Sequence, residues 1–346
     1  MGNLTDIRKI SEQELKAALA ANDEPSFRVK QIQEWMWKKS VVSFDEMTNL
    51  PKSLIQKLKE QFAFYPLVLD TAQFSMDGTI KSRFRLSDGY LIESVLIPVP
   101  EDDRFTVCVS CQVGCSLACT FCATGRMGRI RNLSPAEIYD QVVMVNTQCL
   151  HQYGKPLTNI VYMGMGEPML AYRNVLDSIR LITSPDGLNM SPRRITVSTA
   201  GISKMICKLA DDEVKFNLAV SLHAPDDVKR NTIMPINETN DLKSLIEALR
   251  YFQQKTNNRL TFEYIALRDF NLEDEDAENL IKIYKKVPAR INIIEYNPIE
   301  NAPFGHAPDD KVDEFAQKLR NAGVMVTVRK SRGKDIDAAC GQLANK

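Results

Sequence analysis

From about residue 105 to residue 330 the chain repeats one unit, a short apolar run followed by a helical stretch. The runs fall at 106–110, 159–165, 194–198, 216–221, 260–265, 290–296 and 324–329. Helical patterns lie at 135–149, 173–182, 202–210, 242–254, 275–287 and 311–321. Alternation of this kind predicts a parallel sheet with crossover helices, curled toward a barrel. Such sheets bind ligands beyond the carboxyl ends of their strands, and that is where the unusual residues of this chain collect. Gly164-Met165-Gly166-Glu167-Pro168 follows the second run, where glycine permits close backbone approach and the carboxylate suits a cationic amine. Ser198-Thr199-Ala200-Gly201, Ser221-Leu222-His223-Ala224-Pro225 and Asn297-Pro298 end three later runs. Any one of these is readable as an ordinary polar loop. Their recurrence at equivalent strand ends points to ribose hydroxyls or a carboxylate as the thing held.

Upstream the period changes twice. Residues 1–64 read as helical. Ser11 and Glu14 form a capping box, and residues 26–39 place Phe27, Val29, Ile32, Trp35 and Met36 on one face with Lys and Arg opposite. A further helix is expected over 45–64, with Pro51 in its first turn. Two readings of this module stay open: Trp35 and Trp37 as core, or a basic grip on nucleic-acid phosphates. Residues 65–104 alternate with period two around the turn signals Asp77-Gly78 and Asp88-Gly89. Their last run, 90–97, carries one carboxylate, Glu93, at a kind of position that ordinarily faces solvent.

The 346 residues carry 44 Lys+Arg and 44 Asp+Glu. The formal charge is therefore zero, which neither supports nor excludes an RNA partner. The N-terminus lacks an apolar signal region, Met1-Gly2 is not followed by Ser or Thr at position 6, and no apolar run approaches membrane-spanning length. A monomer in a reducing cytoplasm, with no membrane partner, is the expectation for eight cysteines.

Five of those cysteines, Cys108, Cys111, Cys115, Cys119 and Cys122, lie within fifteen residues after the first strand, and the last three are spaced C-x3-C-x2-C. Thiolates suit iron–sulfur clusters or zinc. A cubane cluster takes four thiolates, so three leave one iron open to bind and activate a small molecule. A structural zinc site wants four ligands, and no second cysteine pair is present, with only three histidines in the chain. A disulfide framework belongs to small secreted domains. Near the other end, Arg329-Lys330-Ser331-Arg332-Gly333-Lys334 is a basic run suited either to phosphate or to plain solvation. It precedes Cys340, whose small neighbours Ala339 and Gly341 make the thiol accessible.

C-x3-C-x2-C with Phe121 before the last cysteine resembles the radical SAM superfamily. Together with CVS-x-QVGC, GMGEP, VSTAGI, SLHAP, YNP and DIDAACGQL, the chain resembles the RlmN/Cfr family of radical SAM RNA adenine methyltransferases over nearly its whole length. The resemblance implies a partial (β/α)6 radical SAM barrel at 105–330. It also implies an N-terminal helical accessory domain at 1–64, a β-hairpin extension at 65–104 and a tail at 331–346. It implies a 4Fe–4S cluster on Cys115, Cys119 and Cys122, with S-adenosylmethionine on the open iron. Gly166, Glu167, Ser198, Ser221, Leu222, His223 and Asn297 match positions that contact S-adenosylmethionine. Cys340 matches the methyl carrier, Cys108 the thiol that resolves the adduct through a disulfide, and Glu93 the base. Cys111 stands where the family carries Ser or Thr. The implied substrate is carbon 2 of an adenosine in 23S rRNA at the peptidyl transferase centre and of an adenosine beside the anticodon of some tRNAs. Carbon 8 is the alternative, and a flavodoxin-type or other low-potential reductant is the electron donor. A radical enzyme for small molecules needs neither Cys108, Cys340 nor the basic run, and a zinc-binding RNA module would hold no iron.

Overall fold

The computed structural model describes residues 4–345; residues 1–3, with the Met1-Gly2 signal considered above, and Lys346 lie outside it. Ten strands form one sheet whose spatial order follows chain order: β1 (Val68–Phe74), β2 (Ile80–Arg85), β3 (Leu91–Val99), β4 (Arg104–Cys108), β5 (Asn159–Tyr162), β6 (Ile195–Thr199), β7 (Asn217–Ser221), β8 (Leu260–Ala266), β9 (Arg290–Glu295) and β10 (Val326–Arg329). From β4 to β10 every pairing is parallel, and β1 to β4 pair antiparallel. The seven runs read from the sequence are thus the seven parallel strands, one more than the partial (β/α)6 barrel that the resemblance implies. The barrel is partial because β4 pairs with β3 and β10 ends the sheet.

The antiparallel strands differ from the expected hairpin linker, since Val95 pairs with Cys108 and the extension continues the barrel sheet without a break. The period-two pattern distinguishes strand from helix, but does not say which strand a hairpin joins.

Crossover helices cover the parallel strands. The longest, Pro135–Tyr153, starts at a Ser134/Glu137 capping box with Pro135 in its first turn and stops at Gly154, whose φ of 64° a Cβ would strain. Ile160, Val197, Leu218, Phe262 and Ile291 on the strands, with Val145, Ile182, Ile206, Leu249 and Leu280 on helices, have no more than 1% exposure. Each such side chain stabilises the fold by roughly 1.5–3 kcal/mol relative to staying in water. A short helix at Asp227–Ile233, capped by Asp226, follows β7 and was not foreseen.

A second apolar cluster, including Ile7, Leu15, Ile32, Met36, Phe44, Leu54 and Leu58, organises the N-terminal module. The Ser11/Glu14 capping box forms as expected. Two helices are shorter than the pattern suggested. Phe27–Gln33 passes into a π turn at Glu34–Lys38, leaving Phe27 exposed, and 45–64 yields only Lys52–Gln61 with Pro51 as its cap. Trp37 packs edge-on against Tyr139 at 5.2 Å, while Lys39 sits 3.5 Å from the ring centre of Trp35. The module is tied to the barrel by buried Arg8, which reaches both carboxylate oxygens of Asp140 at 2.8 Å and also bonds Asp6. No helix among the described residues is long and apolar enough to cross a membrane.

Candidate active site

The cysteine loop leaves the sheet after β4. A strand at Gln112–Cys115 pairs with Gly128–Asn132, with a bulge at Gly114. Gly114 has φ of 73°, and a Cβ there would lie 1.8 Å from the Gly128 carbonyl oxygen, so only glycine lets the two segments approach. The loop then turns through Ala118, which has φ of 54°, and Cys122 caps the short helix Ala123–Arg126. The Thr120 N–H donates to the Ile233 carbonyl at 3.1 Å, fixing the loop to the helix after β7. Burial pushes the thiols of Cys115, to about 11, and of Cys119 upward. They are therefore protonated until a metal displaces the proton.

One cavity collects the strand-end residues. Cys115, Cys119, Cys122, Gly166, Glu167, Ser198, Ser221, His223 and Cys340 all line it. Gly166, with φ of 104°, lies where a Cβ would meet Gln112 side-chain carbon at 2.5 Å. Glu167 is buried, and its carboxylate accepts the Ala200 N–H at 2.8 Å and the Met169 N–H at 3.0 Å. Desolvation raises its pKa while those bonds oppose the rise. His223 sits at φ of 58°, edge-on to Phe121 at 4.8 Å. Burial, helped by the Arg230 charge, pulls it down to about 3. Its Nδ1 accepts the Ile265 N–H at 3.2 Å, so the neutral ring keeps its proton on Nε2 as a donor.

The tail is folded rather than solvated. The Ala123 N–H donates to the Gly341 carbonyl at 2.7 Å, and the Thr124 hydroxyl to the Leu343 carbonyl at 2.6 Å. The tail backbone is thereby fastened to the cysteine loop. Within the basic run, Lys334 pairs with Glu295 at 2.5 Å and Arg332 with Glu101 at 3.4 Å, so two of its cations serve the fold. Cys340 is exposed because it faces the cavity. Protein nevertheless surrounds it, and that desolvation raises its pKa, with Arg329 pulling the other way. Cys108 is buried at the end of β4 and is not on the cavity wall; its thiol is raised chiefly by desolvation, with Cys340 the next cause.

Glu93 corrects the expectation of a solvent-facing carboxylate, because its exposure is 0%. Its Oε2 accepts the N–H groups of Ala344 and Asn345 at 2.9 and 3.0 Å, and its Oε1 lies 3.4 Å from buried Lys81 Nζ. Leu222 and Asn297 are not on the cavity wall. The Leu222 side chain is in the core, and Asn297 donates to the Ser331 hydroxyl at 2.9 Å, holding the root of the tail. Cys111 is likewise buried in the core. Three residues passed unnoticed in the sequence: Lys81, Arg230 and Gln112, whose Oε1 accepts the Glu167 N–H. Gln112 stands among small and apolar neighbours, a local contradiction that was an available signal, whereas Lys81 in IKSRFR and Arg230 in DVKRNTI sit among other polar residues and carried none.

The donor set suits a cluster. Three soft thiols occupy one wall of a cavity whose other walls offer Glu167, the serines and the His223 donor. Among the described residues no three His, Cys, Asp or Glu side chains converge on a single ion. Convergence is what a mononuclear zinc site needs, whereas a cubane takes each thiolate on a different iron. All eight cysteines are free thiols, so a Cys108–Cys340 disulfide is not a standing cross-link of this fold.

Comparison with known proteins follows the same lines. Residues 109–281 match the model of the radical SAM superfamily, and residues 3–63 that of the ribosomal RNA large subunit methyltransferase N-terminal domain. A probable dual-specificity RNA methyltransferase RlmN from Cytophaga hutchinsonii is 54% identical over 98% of this chain and 93% of its own length. The dual-specificity RNA methyltransferase RlmN of Nautilia profundicola is 41% identical over 93% and 94%. The crystal structure of a radical SAM methyltransferase from Sphaerobacter thermophilus superposes with a TM-score of 0.92 at 42% identity, covering 99% of this chain and 100% of that one.

Proposed function

This chain belongs to the RlmN family of dual-specificity RNA methyltransferases, and from that premise we infer that it methylates carbon 2 of an adenosine in 23S rRNA and of an adenosine beside the anticodon in some tRNAs. Carbon 2 lies between two ring nitrogens and is too electron-poor to attack a methyl donor as an amine does. Cys115, Cys119 and Cys122 would hold a 4Fe–4S cluster, which together with S-adenosylmethionine would supply a 5′-deoxyadenosyl radical. A low-potential flavodoxin-type reductant fits the electron demand.

The chain's own residues then have separate tasks. Gly166 leaves room for the nucleoside, Glu167 holds the amine through its remaining lone pairs, and Ser198, Ser221 and the His223 Nε2–H orient ribose and carboxylate. The Cys340 sulfur carries the one-carbon unit as an S-methyl group taken from one S-adenosylmethionine. That methyl would give up one hydrogen atom to the 5′-deoxyadenosyl radical and join the adenine through its carbon. Glu93 takes the proton from the ring carbon, and the surplus electron would return to the centre on the loop thiols. Cys108 attacks the Cys340 sulfur, and the carbon–sulfur electron pair stays with the carbon, which takes up a proton to become the product methyl group. A transient disulfide is left for reduction. Such a disulfide and its repair fit a reducing cytoplasm.

The supporting observation is that Cys340 lines the same cavity as the three loop thiols. A radical enzyme acting on small molecules needs no thiol there. The test is anaerobic turnover of 23S rRNA with reconstituted protein, followed by nucleoside mass spectrometry. Wild type should yield 2-methyladenosine and C340A none. A C108A protein should trap a covalent protein–RNA adduct. Formation of 8-methyladenosine would replace carbon 2 by carbon 8, and an active C340A protein would overturn the carrier role.

A further inference from the structure

Arg230 has no solvent exposure and is the bulkiest of the fully buried side chains. It lies on the unforeseen helix Asp227–Ile233, immediately behind the cavity. Its Nη2 donates to the carbonyls of Ala200 at 2.6 Å and Ser221 at 3.1 Å, its Nε to the Leu222 carbonyl at 3.1 Å, and its Nη1 to the side-chain oxygen of Asn237. None of these acceptors is a carboxylate. Asp227 stands one step behind, accepting from the Asn237 amide at 2.9 Å. Desolvation pulls the guanidinium down to about 10, and the groups opposing that are Cys119 first and Asp227 second.

A buried cation costs several kcal/mol unless an anion offsets it, by roughly the scale seen when buried pairs are broken. Neutral oxygens at two strand ends satisfy the donors of Arg230 but not its charge. The cluster loop is pinned to the same helix, where Thr120 meets Ile233. Phe121, Ala200, Ile233 and Met234 also share one apolar cluster with Cys115. A three-thiolate iron–sulfur centre carries net negative charge and gains one more on reduction. Net charge and neighbouring groups set the potential of such centres.

We propose that Arg230 is a positioning residue whose unpartnered charge offsets the charge gained by the Cys115–Cys119–Cys122 centre on one-electron reduction, raising its reduction potential. This rests on the radical SAM reading. The four neutral acceptors hold the guanidinium in place without neutralising it, so its field is spent on the centre.

The test is a mediated anaerobic redox titration of the full-length, iron-reconstituted protein, followed by electron paramagnetic resonance. One electron passes from reduced mediator to the centre, and no bond is made or broken. Three variants separate charge from geometry. R230Q removes the charge, R230K keeps it, and N237D leaves the guanidinium with its three carbonyl bonds and places a carboxylate on it. At a poise where wild type is half reduced, R230Q and N237D should show at least a tenfold lower ratio of reduced to oxidised centre, which for one electron is 59 mV. R230K should titrate with wild type at equal iron content. R230Q and N237D titrating with wild type, or R230K falling together with R230Q, would overturn the proposal. If R230Q does not fold, N237D decides. If N237D also fails, because its new carboxylate would face Asp227, D227N decides. Its amide oxygen can still accept the Asn237 and Leu242 N–H groups, and it removes the one carboxylate opposing Arg230. It should raise the ratio of reduced to oxidised centre at the wild-type poise, an unchanged or lower ratio overturning the proposal. Absence of iron from wild type would instead defeat the radical SAM reading itself.

Discussion

The two halves of the sheet use polar residues in opposite ways. In the parallel half, β7 and β8 bury mostly apolar runs, with mid-strand Glu263 on β8, held by Asn292 on β9, as the exception, and most of the chemistry sits at the carboxyl ends, in Ser221, His223 and their neighbours. In the antiparallel half the polar groups are mid-strand and buried. Ile80, Lys81 and Ser82 are buried in succession on β2, as are Glu93 and Ser94 on β3. A strand covered on both faces loses its alternation. One face here is covered by the helix Pro135–Tyr153, where Gln141 and Gln148 meet Ser94 and Ser82, and the other by the tail, whose Ala344 bonds Glu93 across 251 positions of sequence. The parallel half thus supplies a cavity from local strand ends. The antiparallel half becomes a site only when the chain returns to it.

The comparison is most severely tested at the loop between the halves. Gly114→Ala should abolish cluster loading, because its Cβ would meet the Gly128 carbonyl and its φ is positive. Iron and sulfide analysis after anaerobic reconstitution should give little of either, and a fully loaded variant would show that the close approach is dispensable. Next in size is Lys81→Met, which leaves Glu93 buried without its cation. Breaking such a pair should destabilise the fold by about 3–5 kcal/mol in urea unfolding. A loss as small as that of a surface pair would mean the tail is dispensable to this half.

On the cavity side, His223 titrates at about 3 in the folded chain against 6.5 in the unfolded one. As pH falls the unfolded state binds the proton first, so this contribution is full above pH 6.5 and is lost as pH falls toward 3. Between pH 7 and pH 5 the loss is about 2 kcal/mol. Glu167 and Asp140, raised by burial, run in the opposite sense. The measurement is therefore the difference between wild type and His223→Gln, whose pH slope should be flatter by that amount. The smallest effect belongs to Thr124→Ala. Loss of the hydroxyl bond to the Leu343 carbonyl should cost about 1 kcal/mol. Hydrogen exchange should quicken at the Ala344 and Asn345 amides while the core amides keep their protection. Unchanged exchange there would show that the loop does not fasten the tail.

Much of the parallel half was legible because its signals are local. Alternating runs and helices placed the strands, and C-x3-C-x2-C marked the loop. Glu93, Lys81 and Arg230 were not legible in the same way. Glu93 contradicts the apolar run around it, while Lys81 and Arg230 sit in polar stretches that mark neither as buried; each is resolved by a partner distant in the chain or, for Arg230, by the ends of two strands meeting at its guanidinium.

Sequence by itself determined the strand–helix alternation, the three-thiol loop and the glycines that its turns require, since spacing, side-chain chemistry and backbone freedom are properties of short stretches. Only the tertiary structure decided that the extension belongs to the same sheet as the barrel. It also decided that Cys340 and Glu93 meet the loop through a folded tail. Those outcomes turn on which surfaces exclude water together, and burial is a property of the assembled chain rather than of any stretch of it.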